Sequence, residues 1–355
     1  MSYCEFSGVK ISGVACALPT QIIDNSKTSG ISQKEIARFI KNMGVKYRRC
    51  AVKKQTSSDL GFEAAKKILE TKNIDPKSID GLIFLTQNPD YRAPSTAFVL
   101  AHRLGLGKDC MAFDVNIGCA AFNYGVHMAS SFIAGAKMKK VLVIIADVIK
   151  DDWGGKRSEN SRGAMLFGDC GSAVLLENSS LENSVIKSLL RSDGDRYSSI
   201  ITRNGWQRHP VDDNKRHEQV YSQMDGEGVM TFGITDVPNT INEFLDITKS
   251  KIDDFDKILL HQSNEPMIKI IAEKIGAKLE NVPVSIVEYG NVSGSTVPLT
   301  LVDAMTKKST KLPKTLKILA CSFGVGLSWG VNSFFINSDD ILPLIETDEF
   351  YKEAF

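Results

Sequence analysis

The feature that most limits what this chain can fold into is a repeated alternation between two hydrophobic periods. Short runs rich in β-branched residues, GLIFLTQ (81–87), MAFDV (111–115), VLVIIADV (141–148), KILLH (257–261) and KILACSF (317–323), are separated by stretches whose apolar residues recur at helical spacing. Near-continuous apolar runs of this length read as strands buried on both faces, and the intervening helices as crossovers. The pattern implies βαβ units around largely parallel sheets. VKISGVACAL (9–18) and SWGVNSFFI (328–336) are further strands, and SSDLGFEAAKKILETKN (57–73) is a helix that Ser58 or Asp59 can cap. Pro94 suits the first turn of a helix through about Leu104, and a helix over 119–136 opens at Cys119. In the second half, helices are expected near 236–249, 265–275 and 293–307.

The two halves end alike, in FGDCGSAVLLE (167–177) and FGVGLSWGVNSFFI (323–336), a strand, glycine turn and strand each time. This reads as an internal duplication, with halves over 1–178 and 179–337 and an acidic extension over 338–355. The polar segment 149–233 reads as surface excursions, and the extension as a surface helix packed by Ile341, Leu344 and Phe350. A chain of 355 residues, 43% hydrophobic, buries enough surface to need no disulfide or metal. Its net charge of +1 argues against nucleic acid or an anionic membrane as the main partner. No apolar run approaches the roughly 20 residues that span a bilayer, and MSYCEFSGVK lacks the features of a signal peptide. Seven cysteines without a CxxC pair match neither a disulfide framework nor a zinc site. The expectation is a reduced, cytoplasmic protein in which each thiol is either packing or chemistry.

Cys119 is the most informative thiol. It follows a strand and Gly118 and precedes a helix, where free N–H groups and the helix dipole favour thiolate and could hold an oxyanion. Most cysteines are packing, so partners decide the matter. His261 ends KILLH, and Asn291 follows Gly290 at an expected strand-to-helix turn. A lone His or a Gly-Asn pair is more often structural. All three, however, are expected at the C-terminal ends of strands, where open α/β sheets build their sites. A thiol with a separate imidazole and amide is a workable set for acyl transfer.

FDVNIGCAAF (113–122), FGDCGSA (167–173), HQSN (261–264), YGNVSGS (289–295) and FGVGLSWG (323–330) stand in order. In these motifs the chain resembles the ketoacyl-ACP synthase III enzymes of the thiolase-like superfamily, from residue 8 to about 337. The resemblance implies a thiolase-like α/β fold of two duplicated βαβαβαββ halves in five αβαβα layers, assembled as a homodimer. It implies that Cys119 accepts an acyl group from a thioester, and that His261 and Asn291 stabilise the enolate formed as malonyl thioester loses CO2. The N–H groups of Cys119 and Val325 would form the oxyanion hole, and Phe323 would pack beside the departing carboxylate. Neutral donors suit this step, because an Asp in place of Asn291 would repel the enolate.

The substrate-recognition residues depart from the family pattern. Arg38 and Asn42 stand where the family offers a Trp and an Arg to coenzyme A. Pro266 replaces an Arg that docks carrier protein, with Lys269 one turn on, and Arg162 is one residue out of register. Arg38, Arg162, Asn264 and Lys269 are the implied contacts to coenzyme A or carrier protein. An aromatic that limits the acyl pocket from across the dimer aligns with Ala93, while Met224 and Met230 match pocket-lining residues. Cys170, where the family has a small residue, reads as packing. The expected activity is condensation of an acyl-CoA or acyl-ACP primer with malonyl-ACP, without metal or resident cofactor, by a specialised paralogue with an enlarged pocket. The alternative is an acyltransferase acting on an amine or hydroxyl without decarboxylation. A non-catalytic scaffold fits poorly with the retained Cys119, His261 and Asn291.

Overall fold

The structure, a computed structural model, describes residues 3–149, 163–211, 222–307 and 313–353. The strands of its two main sheets are, in chain order, β1 (Tyr3–Ser7), β2 (Val9–Leu18), β3 (Gly81–Leu85), β4 (Met111–Val115), β5 (Lys140–Asp147), β6 (Cys170–Asn178), β7 (Val185–Ser192), β8 (Lys257–Leu260), β9 (Thr315–Gly324), β10 (Ser328–Asn337) and β11 (Ile345–Glu346). The longer helices are α1 (Gln33–Met43), α2 (Ser57–Thr71), α3 (Thr96–Leu104), α4 (Ala121–Ala136), α5 (Gly226–Thr248), α6 (Glu265–Lys274) and α7 (Thr296–Thr306).

One sheet has the order β11-β2-β6-β5-β3-β4 and the other β1-β7-β10-β9-β8. In the first, β2 and β6, then β6 and β5, pair antiparallel, and β5 and β3 pair parallel. In the second, β7 and β10, then β10 and β9, pair antiparallel, and β9 and β8 pair parallel. The same succession of strand directions in both sheets is the duplication in three dimensions.

Strand periodicity builds the layers. On β5, Val141, Val143 and Ile145 enter a central core with Val126 of α4 and Val297 of α7, while Leu142, Ile144 and Ala146 pack outward on Ala64 and Ile68 of α2. On β9, Ile318 and Ala320 enter the same central core, while Leu319, Cys321 and Phe323 pack outward with Phe232 of α5 and Ile271 of α6. Helices α4 and α7 are thus the middle layer of an αβαβα stack.

Several expectations need correction. Helix α4 begins at Ala121, two residues after Cys119, and Pro94 precedes the Ser95 cap of α3. Helix α5 begins at Gly226, ten residues before the sequence pattern suggested. The segment 149–233 contributes β7, a strand inside the second sheet. The extension after β10 forms no surface helix: a 3-10 turn (Ser338–Asp340) leads to β11, which pairs parallel with β2. Its Ile341 and Leu342 are buried because they close the edge of the first sheet.

Candidate active site

Cys119 sits in the turn between β4 and α4. The cap position before α4 is Ala120, a residue with no capping group, and Ser322 of β9 takes over the task. Its hydroxyl accepts the Asn123 N–H at 3.3 Å and donates to the Asn123 Oδ1, with the Ala120 carbonyl a longer acceptor at 3.1 Å. Asn123 in turn accepts the Ser322 N–H at 2.8 Å and donates to the Ala320 carbonyl at 2.9 Å. The helix that follows Cys119 is therefore tied to the strand that leads into Phe323, Gly324 and Val325. The two are in contact at Gly324, where a Cβ would lie 2.8 Å from the Cys119 sulfur.

The thiol receives the Val325 N–H and opens onto a cavity of about 1360 Å³. Burial pushes its pKa up to about 11, against the Val325 N–H that lowers it, and the nearby Asp147 adds to the rise. Desolvation acts against the thiolate here, in opposition to the N–H groups of the helix terminus that favour it.

His261 follows β8 directly and Asn291 follows a one-turn helix (Ile286–Tyr289), not the strand expected before it. Both are buried and both line the same cavity as Cys119 and Phe323. The His261 ring stands edge-on to Phe323 at 5.3 Å, and its Nδ1 meets the Thr296 hydroxyl at 2.6 Å. Burial lowers its pKa to about 3, so the imidazole is neutral. Asn291 is pinned through its backbone, whose N–H donates to the Leu166 carbonyl at 2.9 Å and whose carbonyl accepts the Gly168 N–H at 3.1 Å. Its Oδ1 accepts the Ser293 N–H at 2.9 Å, which leaves the amide NH₂ as the donor available to a substrate.

Met224, Met230 and Asn264 also line the cavity, and Asn264 caps α6 by accepting the Met267 N–H at 2.8 Å. Arg38 is exposed on α1, whose Asn42 and Met43 line the cavity in its place. Lys269 is exposed and paired with Glu265 at 2.6 Å, away from the cavity lining. Ala93 is exposed outside the lining, although Asp90, Tyr91 and Arg92 belong to it. Arg162 lies outside the described residues. Trp206, Tyr91 and Ser293 were given no part by sequence reasoning. Ser293 lay inside the YGNVSGS motif, and its positive φ of 53° is a signal that no sequence pattern carries.

The geometry agrees with comparison to known proteins. Family models described as 3-oxoacyl-[acyl-carrier-protein] synthase III and its C-terminal region match residues 113–194 and 245–334. The chain is 32% identical to a beta-ketoacyl-[acyl-carrier-protein] synthase III of Streptococcus pneumoniae, over 90% of this chain and 97% of that one. It superposes on the crystal structure of a 3-oxoacyl-(acyl-carrier protein) synthase from Burkholderia xenovorans with a TM-score of 0.88, 31% identity and coverage of 97% and 99%. A synthase III from Aquifex aeolicus gives 0.78 at 28% identity, covering 92% and 99%. With its thiolase-like fold and a cysteine, histidine and asparagine on one cavity, the chain belongs to the beta-ketoacyl-[acyl-carrier-protein] synthase III family of condensing enzymes.

Proposed function

We propose that Cys119 takes an acyl group from an acyl-CoA or acyl-ACP primer, and that His261 and Asn291 then direct decarboxylative condensation with malonyl-ACP to give 3-oxoacyl-ACP. The observation that carries this reading is the convergence of a thiol, a neutral imidazole and an amide on one cavity. Loss of CO2 from malonyl thioester places negative charge on the thioester oxygen, and neutral N–H donors stabilise it without protonating the carbanion. The Thr296 hydroxyl at Nδ1 supports the tautomer with the proton on Nε2, facing the substrate. The Val325 N–H, already at the sulfur, supports its role as oxyanion donor when the carbonyl of the primer arrives.

The primer is a larger or branched acyl group. The cavity volume and the Met224 and Met230 side chains, which adapt to irregular chains, support this. The working form is a homodimer paired through β4. That strand is a sheet edge, and its residues Met111, Phe113 and Val115 are apolar yet only partly covered. Asp114 on the same strand accepts the N–H groups of Thr96 and Ala97, both at 2.7 Å, which sets the Ala93 loop beside this edge. Ala93 would then face the partner's pocket.

Intact-protein mass spectrometry with a panel of acyl-CoA and acyl-ACP donors, followed by CO2 measurement on adding malonyl-ACP, tests the reading. A mass gain at Cys119 and CO2 release with a longer or branched donor are expected. Preference for acetyl over every larger donor would remove the enlarged-pocket claim. Acyl transfer to an amine or hydroxyl without CO2 would replace condensation by simple acyl transfer.

A further inference from the structure

The cavity wall between β3 and α3 is tied down mainly at its two ends. Asp147 holds the first end, its Oδ1 accepting the Gln87 N–H at 2.9 Å and the Asn88 amide at 3.2 Å. Asp114 holds the second through the Thr96 and Ala97 N–H groups. Asp90, Tyr91 and Arg92 lie between these ends, and all three line the cavity. Among the described residues, the hydrogen bonds of segment 89–94 run through Asp90 alone. Its N–H donates to the Thr96 hydroxyl at 3.1 Å, and its carboxyl group accepts the Ser58 hydroxyl and, at 3.3 Å, the Ser58 N–H. Ser58, at the start of α2, is held in turn by Arg103 of α3, whose Nη1 donates to the Ser58 hydroxyl at 3.0 Å and pairs with Asp59 at 3.0 Å. The buried guanidinium lies between two rings, Phe62 at 4.4 Å and Tyr351 at 4.7 Å. Tyr351 also donates its N–H to Asp59 at 2.8 Å, and Gln55 donates to the Thr347 and Glu349 carbonyls. The contacts that end at Asp90 in the cavity therefore begin in the C-terminal extension.

We infer that the C-terminal extension sets the shape of the cavity wall, with Tyr351 and Arg103 as positioning residues that act on Tyr91 and Arg92 through Ser58 and Asp90. A guanidinium is planar, and its orientation is fixed while its donors and both faces are engaged. Without the Tyr351 ring, one face of Arg103 opens to water and the group can turn away from Ser58. The Ser58 hydroxyl then loses the donor that orients it toward Asp90, and segment 89–94 loses its one anchor. A wall held in place before binding costs no ordering when a long chain packs on it, whereas a loose wall must be ordered at that moment. A short chain that does not reach the wall is indifferent to the change. The extension thereby favours long donors over short ones. This role in donor choice rests on the reading that Cys119 is acylated, while the role in cavity shape does not.

Two readouts at Cys119 test this. Alkylation by iodoacetamide and by its N-octyl derivative, followed by peptide mass spectrometry of Cys119, reads the cavity without a substrate. The kcat and KM for acyl-CoA donors of short and long chain read the choice of donor. Both are measured for the full chain, Tyr351→Ala, Tyr351→Phe and a chain stopped at Glu349, each well below its melting temperature. Tyr351 is partly exposed, so these changes leave the core intact. In Tyr351→Ala and the shortened chain, the ratio of long to short should fall roughly tenfold in both readouts, through KM for the donors. Tyr351→Phe should keep the ratio, because the ring still covers Arg103. Ratios unchanged in Tyr351→Ala and the shortened chain, or long and short probes slowed equally, would overturn the inference and leave the extension a stabilising element only. A loss in Tyr351→Phe equal to that in Tyr351→Ala would overturn the role of the ring. A full chain alkylated at Cys119 yet acylated by no donor would overturn the acylation reading instead, and the alkylation ratio would still decide whether the extension shapes the wall.

Discussion

At the scale of single residues, the proposed mechanism divides its labour between Cys119 as nucleophile and the neutral donors His261 and Asn291. Cys119→Ala should gain no acyl mass yet still decarboxylate malonyl thioester, because His261 and Asn291 do not depend on the sulfur. His261→Ala and Asn291→Ala should still be acylated but condense roughly 10²–10³-fold more slowly, the usual cost of losing one oxyanion donor. Mass gain and CO2 release, measured side by side, separate these outcomes. His261 also ties stability to pH. Its folded pKa of about 3 lies below the ordinary value of about 6.5. The unfolded chain therefore takes up this proton first, and the stability His261 allows above about pH 6.5 is lost as pH falls toward 3. Urea midpoints should fall on acidification from about pH 7 to about pH 5. The fall should be smaller in His261→Asn; an identical fall would show that this histidine is not the titrating group.

At the scale of elements, the junction of α4 with β9 holds Cys119 against Gly324 and Val325. Ser322 supplies the cap that Ala120 lacks, and Asn123 and Ser322 are both fully buried. Ser322→Ala would strand the Asn123 N–H and leave its Oδ1 with one donor fewer. A loss of about 1–3 kcal/mol in chemical denaturation is expected, and an unchanged midpoint would show that water or a neighbour replaces the hydroxyl. This cap was not legible in the sequence. A helix start is recognised by a local Ser, Thr, Asp or Asn, and here the capping group comes from a strand 199 residues away. Strands β2, β4 and β5 were legible because their apolar runs declare themselves locally. Strands β1, β7 and β11 were not, because they lie at or near sheet edges or are very short, and take strand form through the neighbour that pairs with them.

At the scale of the whole molecule, each terminus completes the sheet of the opposite half: β1 pairs with β7, and β11 with β2. The extension continues as a strap over the first half. Gln55 donates to the carbonyls of Thr347 and Glu349 at 3.1 and 3.0 Å, Arg49 pairs with Glu346, and the Tyr351 N–H reaches Asp59 at 2.8 Å. Arg103, paired with Asp59 at 3.0 Å, is sandwiched between the rings of Phe62 and Tyr351. A chain stopped at Asn337 loses the burial of Ile341 and Leu342 and the edge strand. Its melting temperature should fall by roughly 5–10 °C. A truncated chain that melts at the same temperature would show that the strap is passive.

The sequence by itself determined the order of most elements and carried the motifs in which Cys119, His261 and Asn291 stand. Hydrophobic period and short motifs are local properties that need no fold to be read. Tertiary structure decided what those groups can do. Cys119, His261, Asn291 and Val325 come from distant segments and meet only because two sheets share the layer of α4 and α7. The same packing raises the thiol pKa and lowers that of the imidazole, because burial disfavours the charged form of each. Ionisation depends on what surrounds a group in space, and sequence order does not record those surroundings.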